Sequence, residues 1–267
     1  MNTQKEVPSE IYDRNYYLTD NEGCHEYQKG LDKNIHPKFS RALEIAQPKQ
    51  GDIILDIGCG RGELLYYCAK KGASILGLDY SQAAIDIARR TIQMLPRETQ
   101  YLTKVEVGDV VKYNFSQKYD IIFMLEVFEH MNDNQLEQTF QKIKHILKDN
   151  GKIIITTPNY YYEKYLQPIK MILDLPFRFL KWFFRVIRGK YKPKSISEFM
   201  QNALKIKVDR GKLSKEAHVN VSTLSKIKII LSDYKVIAWC EDHSISPISL
   251  LTKRWWGRQI IAVVQKY

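Results

Sequence analysis

The chain has 267 residues, of which 44% are hydrophobic and 27% charged, and a net charge of +11. That supplies one large core and excludes disordered, collagen-like and disulfide-scaffold classes. Cys24, Cys59, Cys68 and Cys240 lack paired metal-ligand spacing, and residues 1–20 lack the basic start and apolar run of a secretory signal, so a single domain over 1–267 in a reducing cytoplasm is expected.

Residues 1–50 hold several tyrosines and a predicted helix over 37–46, and read as an N-terminal cap over a crevice. Apolar blocks then recur. Strands are expected over 52–57, 74–79, 104–107, 119–125, 152–157, 235–241 and 259–264, and helices over 62–71, 81–94, 134–148 and 222–233. The strand runs do not alternate, as parallel strands covered on both faces require. The predicted fold class is α/β, a doubly wound, seven-stranded and mostly parallel sheet. A helical insertion over 159–217 separates the fifth and sixth strands.

The first strand runs into a helix through Asp56-Ile57-Gly58-Cys59-Gly60-Arg61-Gly62. Alternate glycines let backbone approach a ligand, and the helix start offers free N–H groups to a carboxylate. Asp79 closes the second strand, where a carboxylate takes two ribose hydroxyls, and Asp109 follows the third. At these residues the chain resembles the class I S-adenosyl-L-methionine (SAM) dependent methyltransferases, from about residue 51 to 159 and more weakly from 218 onward. The resemblance implies a Rossmann-like methyltransferase fold. It also implies that Asp56, Gly58 and Gly60 hold the methionine part of SAM and Asp79, with its neighbour Tyr80, the ribose; Asp109 and Val110 lie near adenine, and Leu125 lines the site with backbone. A nicotinamide fold expects G-x-G-x-x-G, whereas these glycines run G-x-G-x-G.

After the fourth strand comes Glu126-Val127-Phe128-Glu129-His130. If this stretch is helical, Glu126, Glu129 and His130 share one face. The trio suits a general base towards an acceptor hydroxyl, or ligands for a divalent cation that lowers the hydroxyl's pKa. The E-x-x-E-H pattern is similar to that of the ubiquinone-pathway O-methyltransferases and of the enzymes that methylate the terminal 2′-hydroxyl of small RNAs. Both resemblances imply a divalent cation, Mg or Zn, on Glu126, Glu129 and His130, with His218 as a further ligand in the RNA type. Packing or substrate orientation by the Glu-His pair, without metal, is the alternative.

The insertion carries the charge. Residues 165–195 contain eight basic residues and one acid, +7 of the total +11. Lys170, Asp174, Arg178, Lys181, Arg185 and Arg188 form one helical stripe, opposite an apolar face that includes Phe179, Trp182 and Phe183. Such a segment is either a lid buried on its own domain or a second subunit, or a helix lying in the interface of an anionic membrane. Nucleic acid fits less well, because aromatics and cations segregate. The expected function is O-methylation of a hydroxyl on a lipid-associated or glycan-type small molecule, peripheral to the inner face of the membrane. The alternatives are an RNA 2′-O-methyltransferase with a divalent metal, or a non-catalytic SAM-binding protein. N-methylation and the oligomeric state stay open.

Overall fold

In the computed structural model, residues 6–32, 34–173, 175–189, 218–242 and 257–267 are described. Helices α1 (Cys24–Gln28) and α2 (Pro37–Ala46) precede β1 (Ile53–Ile57), α3 (Glu63–Lys70), β2 (Ser74–Asp79), α4 (Gln82–Gln93), α5 (Arg97–Gln100) and β3 (Thr103–Val107). The second half runs β4 (Tyr119–Leu125), α6 (Asp133–Ile146), β5 (Leu147–Pro158), α7 (Gln167–Leu173), α8 (Leu175–Ile187), α9 (Leu224–Ile230), β6 (Lys235–Glu241) and β7 (Gln259–Gln265).

The seven strands lie in the order β3-β2-β1-β4-β5-β7-β6. The first five are parallel, and β7 runs antiparallel to both neighbours. Consecutive residues feed opposite faces. Ile54, Phe123 and Ile154 pack with α2, α3 and α4, while Leu55, Ile122 and Ile153 pack with α6 and α9. Burial on both faces explains the unbroken apolar runs.

Several boundaries differ from the expected ones, most by a single residue and two regions by more. Helix α6 ends at Ile146, and β5 begins at Leu147, because Leu147 pairs with Tyr119 ahead of a register shift in β4. Helix α9 starts late because Ser222 bridges to Asn159, leaving Thr223 to cap the helix by accepting from Lys226 N–H.

The insertion departs from a regular stripe. Lys170 turns inward, its Nζ 3.3 Å from Asp242 Oδ2 and 3.3 Å from the Tyr162 hydroxyl, since Asp242 is buried and needs a cation. Ile169, Ile172 and Leu173 of α7 and Phe179, Leu180, Phe183, Phe184 and Ile187 of α8 are exposed, so the described part of the apolar face is not a lid buried on its own domain. The side chains of Arg178, Lys181 and Trp182, the whole of Asp174, and residues 190–217 lie outside the described residues. No helix among the described residues is long and apolar enough to cross a membrane.

Candidate active site

The strand order reverses between β1 and β4, and the C-terminal ends of β1, β2 and β4 open there onto a cavity of 1240 Å³. Gly58, at φ 71°, turns the chain out of β1 and donates its N–H to the Leu78 carbonyl at 2.7 Å. A Cβ there would stand 2.3 Å from Val127 Cγ2, so both dihedral and space require glycine. Gly60 N–H donates to Asp79 Oδ2 and Ser81 N–H to Asp79 Oδ1, each at 2.9 Å. These bonds aim the carboxylate into the cavity. Burial raises its pKa to about 6 against their opposing pull. Burial, and then the Asp79 charge, push Asp56 well above the carboxylate range.

The other expected cofactor residues, Tyr80, Asp109, Val110 and Leu125, line the same cavity. Asp109 Oδ1 accepts from Val111 N–H at 2.9 Å, which shapes the loop after β3. Residues before α1 supply a wall for which the glycine and carboxylate motifs held no signal. Tyr12, Tyr16 and Tyr17 line it, and the only hints in sequence were tyrosine density and an arginine inside the glycine turn. Arg61 is 2% exposed. It donates to the Tyr17 carbonyl at 2.8 Å, Asn21 Oδ1 at 2.7 Å, the Glu22 carbonyl at 2.9 Å and Glu63 Oε1 at 2.7 Å.

Beyond β4, Glu126, Glu129 and His130 do not share an α-helical face. Glu126 has φ 57° and donates its N–H to the Thr156 carbonyl at 2.9 Å, extending the β4–β5 ladder by one residue. Only then does a 3₁₀ turn, Phe128–His130, begin. Glu126 Oε1 accepts from Thr156 Oγ1 at 2.9 Å and Gln259 Nε2 at 2.6 Å. Glu129 Oε2 accepts from Thr157 Oγ1 at 3.0 Å, and its carbonyl accepts Asn220 N–H at 2.9 Å.

That last bond draws residues 218–220 against the turn. The His218 ring lies 5.1 Å from that of His130, and one ligand atom each from Glu129, His130 and His218 fall within 4.8 Å of one another. Glu126 stands outside this trio. Its neighbourhood is felt nonetheless, for burial and then the Glu126 charge push Glu129 well above the usual carboxylate range. Burial also raises Glu126, opposed by the Lys38 charge and by hydrogen bonds from Gln259 and Thr156. His130 Nδ1 is 2.8 Å from the Tyr12 hydroxyl, and Nε2 is 3.9 Å from Glu129 Oε1.

A glycine turn feeding an acid at the end of the second strand of a doubly wound sheet defines the cofactor half of a Rossmann-like methyltransferase. The family profile described as a methyltransferase domain matches residues 26–203. The chain belongs to that enzyme family, the class I SAM-dependent methyltransferases.

A ubiquinone biosynthesis O-methyltransferase of Chelativorans sp. (strain BNC1) is 33% identical over 126 residues, 47% of this chain and 48% of the relative. An (S)-tetrahydroprotoberberine N-methyltransferase of Eschscholzia californica is 38% identical over 97 residues, 35% of this chain and 26% of the relative. The chain thus spans about half the length of the ubiquinone-type relatives it matches. Among solved structures, the small RNA methyltransferase HEN1 aligns with 86% of this chain and 25% of its own at TM-score 0.59 and 18% identity. That likeness is one of fold.

Proposed function

We propose that the chain transfers the methyl group of SAM to a hydroxyl of a lipid-associated or glycan-type small molecule. The observation that carries this reading is the single cavity shared by the Gly58–Asp79 turn and the Glu129, His130 and His218 cluster.

SAM supplies an electrophilic methyl on a sulfonium that departs as a neutral thioether. The cradle suits it, since a Cβ at Gly58 would fill the turn and the buried Asp79 carboxylate stands ready for two ribose hydroxyls. Asp56, Gly60 and Leu125 would line the methionine end and Tyr80, Asp109 and Val110 the nucleoside end, all six bordering the one cavity. His130 accepts the acceptor's hydroxyl proton as oxygen becomes the nucleophile. Glu129 and His218 hold that imidazole's surroundings polar, and Glu126, tied to Gln259 and Thr156, shapes the floor.

One carboxylate and two imidazoles also suit a divalent cation such as Mg or Zn. Glu129, His130 and His218 would hold it, with Glu126 at its edge, and it would lower the hydroxyl's pKa. Thorough chelation that leaves turnover untouched defeats the metal part alone.

The exposed apolar face of α7 and α8, within a segment of net charge +7, supports peripheral attachment to an anionic membrane, at the cytoplasmic face of a cell. Co-sedimentation with anionic vesicles that is lost when Phe179, Trp182 and Phe183 become Ser tests this. Unchanged sedimentation of the variant refutes it.

A second reading, an RNA 2′-O-methyltransferase, is favoured by one observation, the packing of His218 against His130. Labelled SAM incubated with fractionated extract separates the two. Label in organic or glycan fractions supports the first reading, label in RNA the second, and calorimetry showing no SAM binding by folded protein ends both.

A further inference from the structure

Among the described residues, the lysines and arginines that line the cavity are Lys38, Arg61, Lys112 and Arg258. All but the first face a carboxylate. Arg61 pairs with Glu63 at 2.6 Å, Arg258 with Glu22 at 3.3 Å and Lys112 with Asp109 at 3.8 Å. The Lys38 ammonium makes no ion pair and no hydrogen bond with any described residue; the contact it has is with the Phe39 ring, 5.0 Å from Nζ to the centroid. Lys38 is nonetheless only 7% exposed.

Its place in the fold makes that arrangement costly. Lys38 lies in the first turn of α2, just after Pro37 and the capping residue His36, whose Nδ1 accepts the Lys38 N–H at 3.3 Å. That turn carries the positive end of the helix dipole, so the helix itself opposes a cation there. A buried ammonium without a hydrogen-bonded counter-ion is opposed a second time. An anion docked at Nζ reverses both penalties. The nearby acids do not take that part, for burial drives the pKa of Asp56 and of Glu126 upward and the Lys38 charge only partly offsets the rise. They do locate the ammonium, close to the ends of β1 and β4, where Asp56 and Glu126 border the same cavity.

We propose that Lys38, set in the positive end of α2, is a carboxylate-binding residue of the cavity. The carboxylate is that of the SAM methionine portion or one borne by the acceptor, and the ammonium offers the same charge-assisted bond to either. This rests on the cavity being where SAM and its acceptor meet. It adds a site for negative charge to a wall otherwise furnished with carboxylates, and in the second case it makes the acceptor an acid.

Calorimetry on the full chain near neutral pH tests it, with S-adenosylhomocysteine, the analogue lacking only its carboxylate, and benzoate as probes. If the carboxylate is the cofactor's, Lys38→Met weakens S-adenosylhomocysteine about ten- to a hundredfold and leaves the decarboxylated analogue within about twofold. If it is the acceptor's, Lys38→Met leaves both adenosyl ligands unchanged. Benzoate then binds wild type saturated with S-adenosylhomocysteine, and the variant about tenfold more weakly or worse. Lys38→Arg keeps the charge and is expected to recover most of the affinity in whichever arm responds. Equal weakening of both adenosyl ligands, or no loss in either arm, makes Lys38 a mere counter-charge for Asp56 and Glu126 and overturns the proposal. Benzoate bound through Lys38 by a wild type that takes up no adenosyl ligand sinks the SAM reading and leaves the carboxylate site standing.

Discussion

Arg61, the one charged residue inside the glycine turn, donates Nη1–H to the Tyr17 carbonyl at 2.8 Å and so ties the N-terminal segment to the loop that cradles the cofactor. Because Arg61 and Glu63 are both buried and paired at 2.6 Å, removing one charge strands the other. Arg61→Met is expected to cost about 3–5 kcal/mol in urea unfolding. Arg61→Met combined with Glu63→Gln recovers most of that stability, yet still binds SAM at least tenfold more weakly by calorimetry, since the wall loses its anchor. Equal stability of single and double variants would refute the pairing argument.

Asp79 makes cofactor binding depend on pH. Its folded pKa of about 6 lies above the ordinary 3.8, so the native state holds the proton longer than the unfolded chain does. The stability penalty is absent below about pH 4, grows between about 4 and 6, and is complete above that, at about 3 kcal/mol. Ribose hydroxyls bind the ionised form, so SAM affinity moves the other way and rises through the same interval. Calorimetry should give a Kd about tenfold tighter at pH 7.5 than at pH 5, from the ionised fraction alone. A flat profile would remove Asp79 as the ribose ligand.

Gly58→Ala meets two obstacles, a φ of 71° and Val127 Cγ2 at 2.3 Å. The left-handed dihedral alone costs about 1–2 kcal/mol. Val127→Ala in the same chain removes the clash but leaves the dihedral, so the double variant should recover part of the melting temperature and only part of SAM binding. Full recovery would show that backbone conformation at Gly58 does not matter.

Thr157→Val keeps the shape of β5 while removing the hydroxyl that donates to Glu129 Oε2 at 3.0 Å. Loss of one hydrogen bond of about 1.5 kcal/mol predicts a kcat lower by about tenfold. The SAM Kd should be unchanged, because Asp79 and the glycine turn are untouched. A weakened Kd with unchanged kcat would put Glu129 on the cofactor side instead.

Strands β2, β4 and β6 and helix α2 follow from sequence to the residue, because their patterns are local: apolar runs in the strands, unbroken in β2 and β4 where both faces are buried, and a proline at the start of α2. The glycine turn and Asp79 are equally legible, since a φ above zero and a carboxylate at a strand end are demands on single positions. The expectation of a helical face for Glu126, Glu129 and His130 ignored β5, whose Thr156 carbonyl captures the Glu126 N–H and holds that residue in the ladder. Lys170 looked like part of a surface stripe until Asp242, 72 residues on, turned it inward. Tyr12 beside His130, Gln259 on Glu126 and His218 beside Glu129 join segments far apart in the chain. Periodicity reports which way a side chain points from its own helix or strand, and only packing decides which distant side chain it meets.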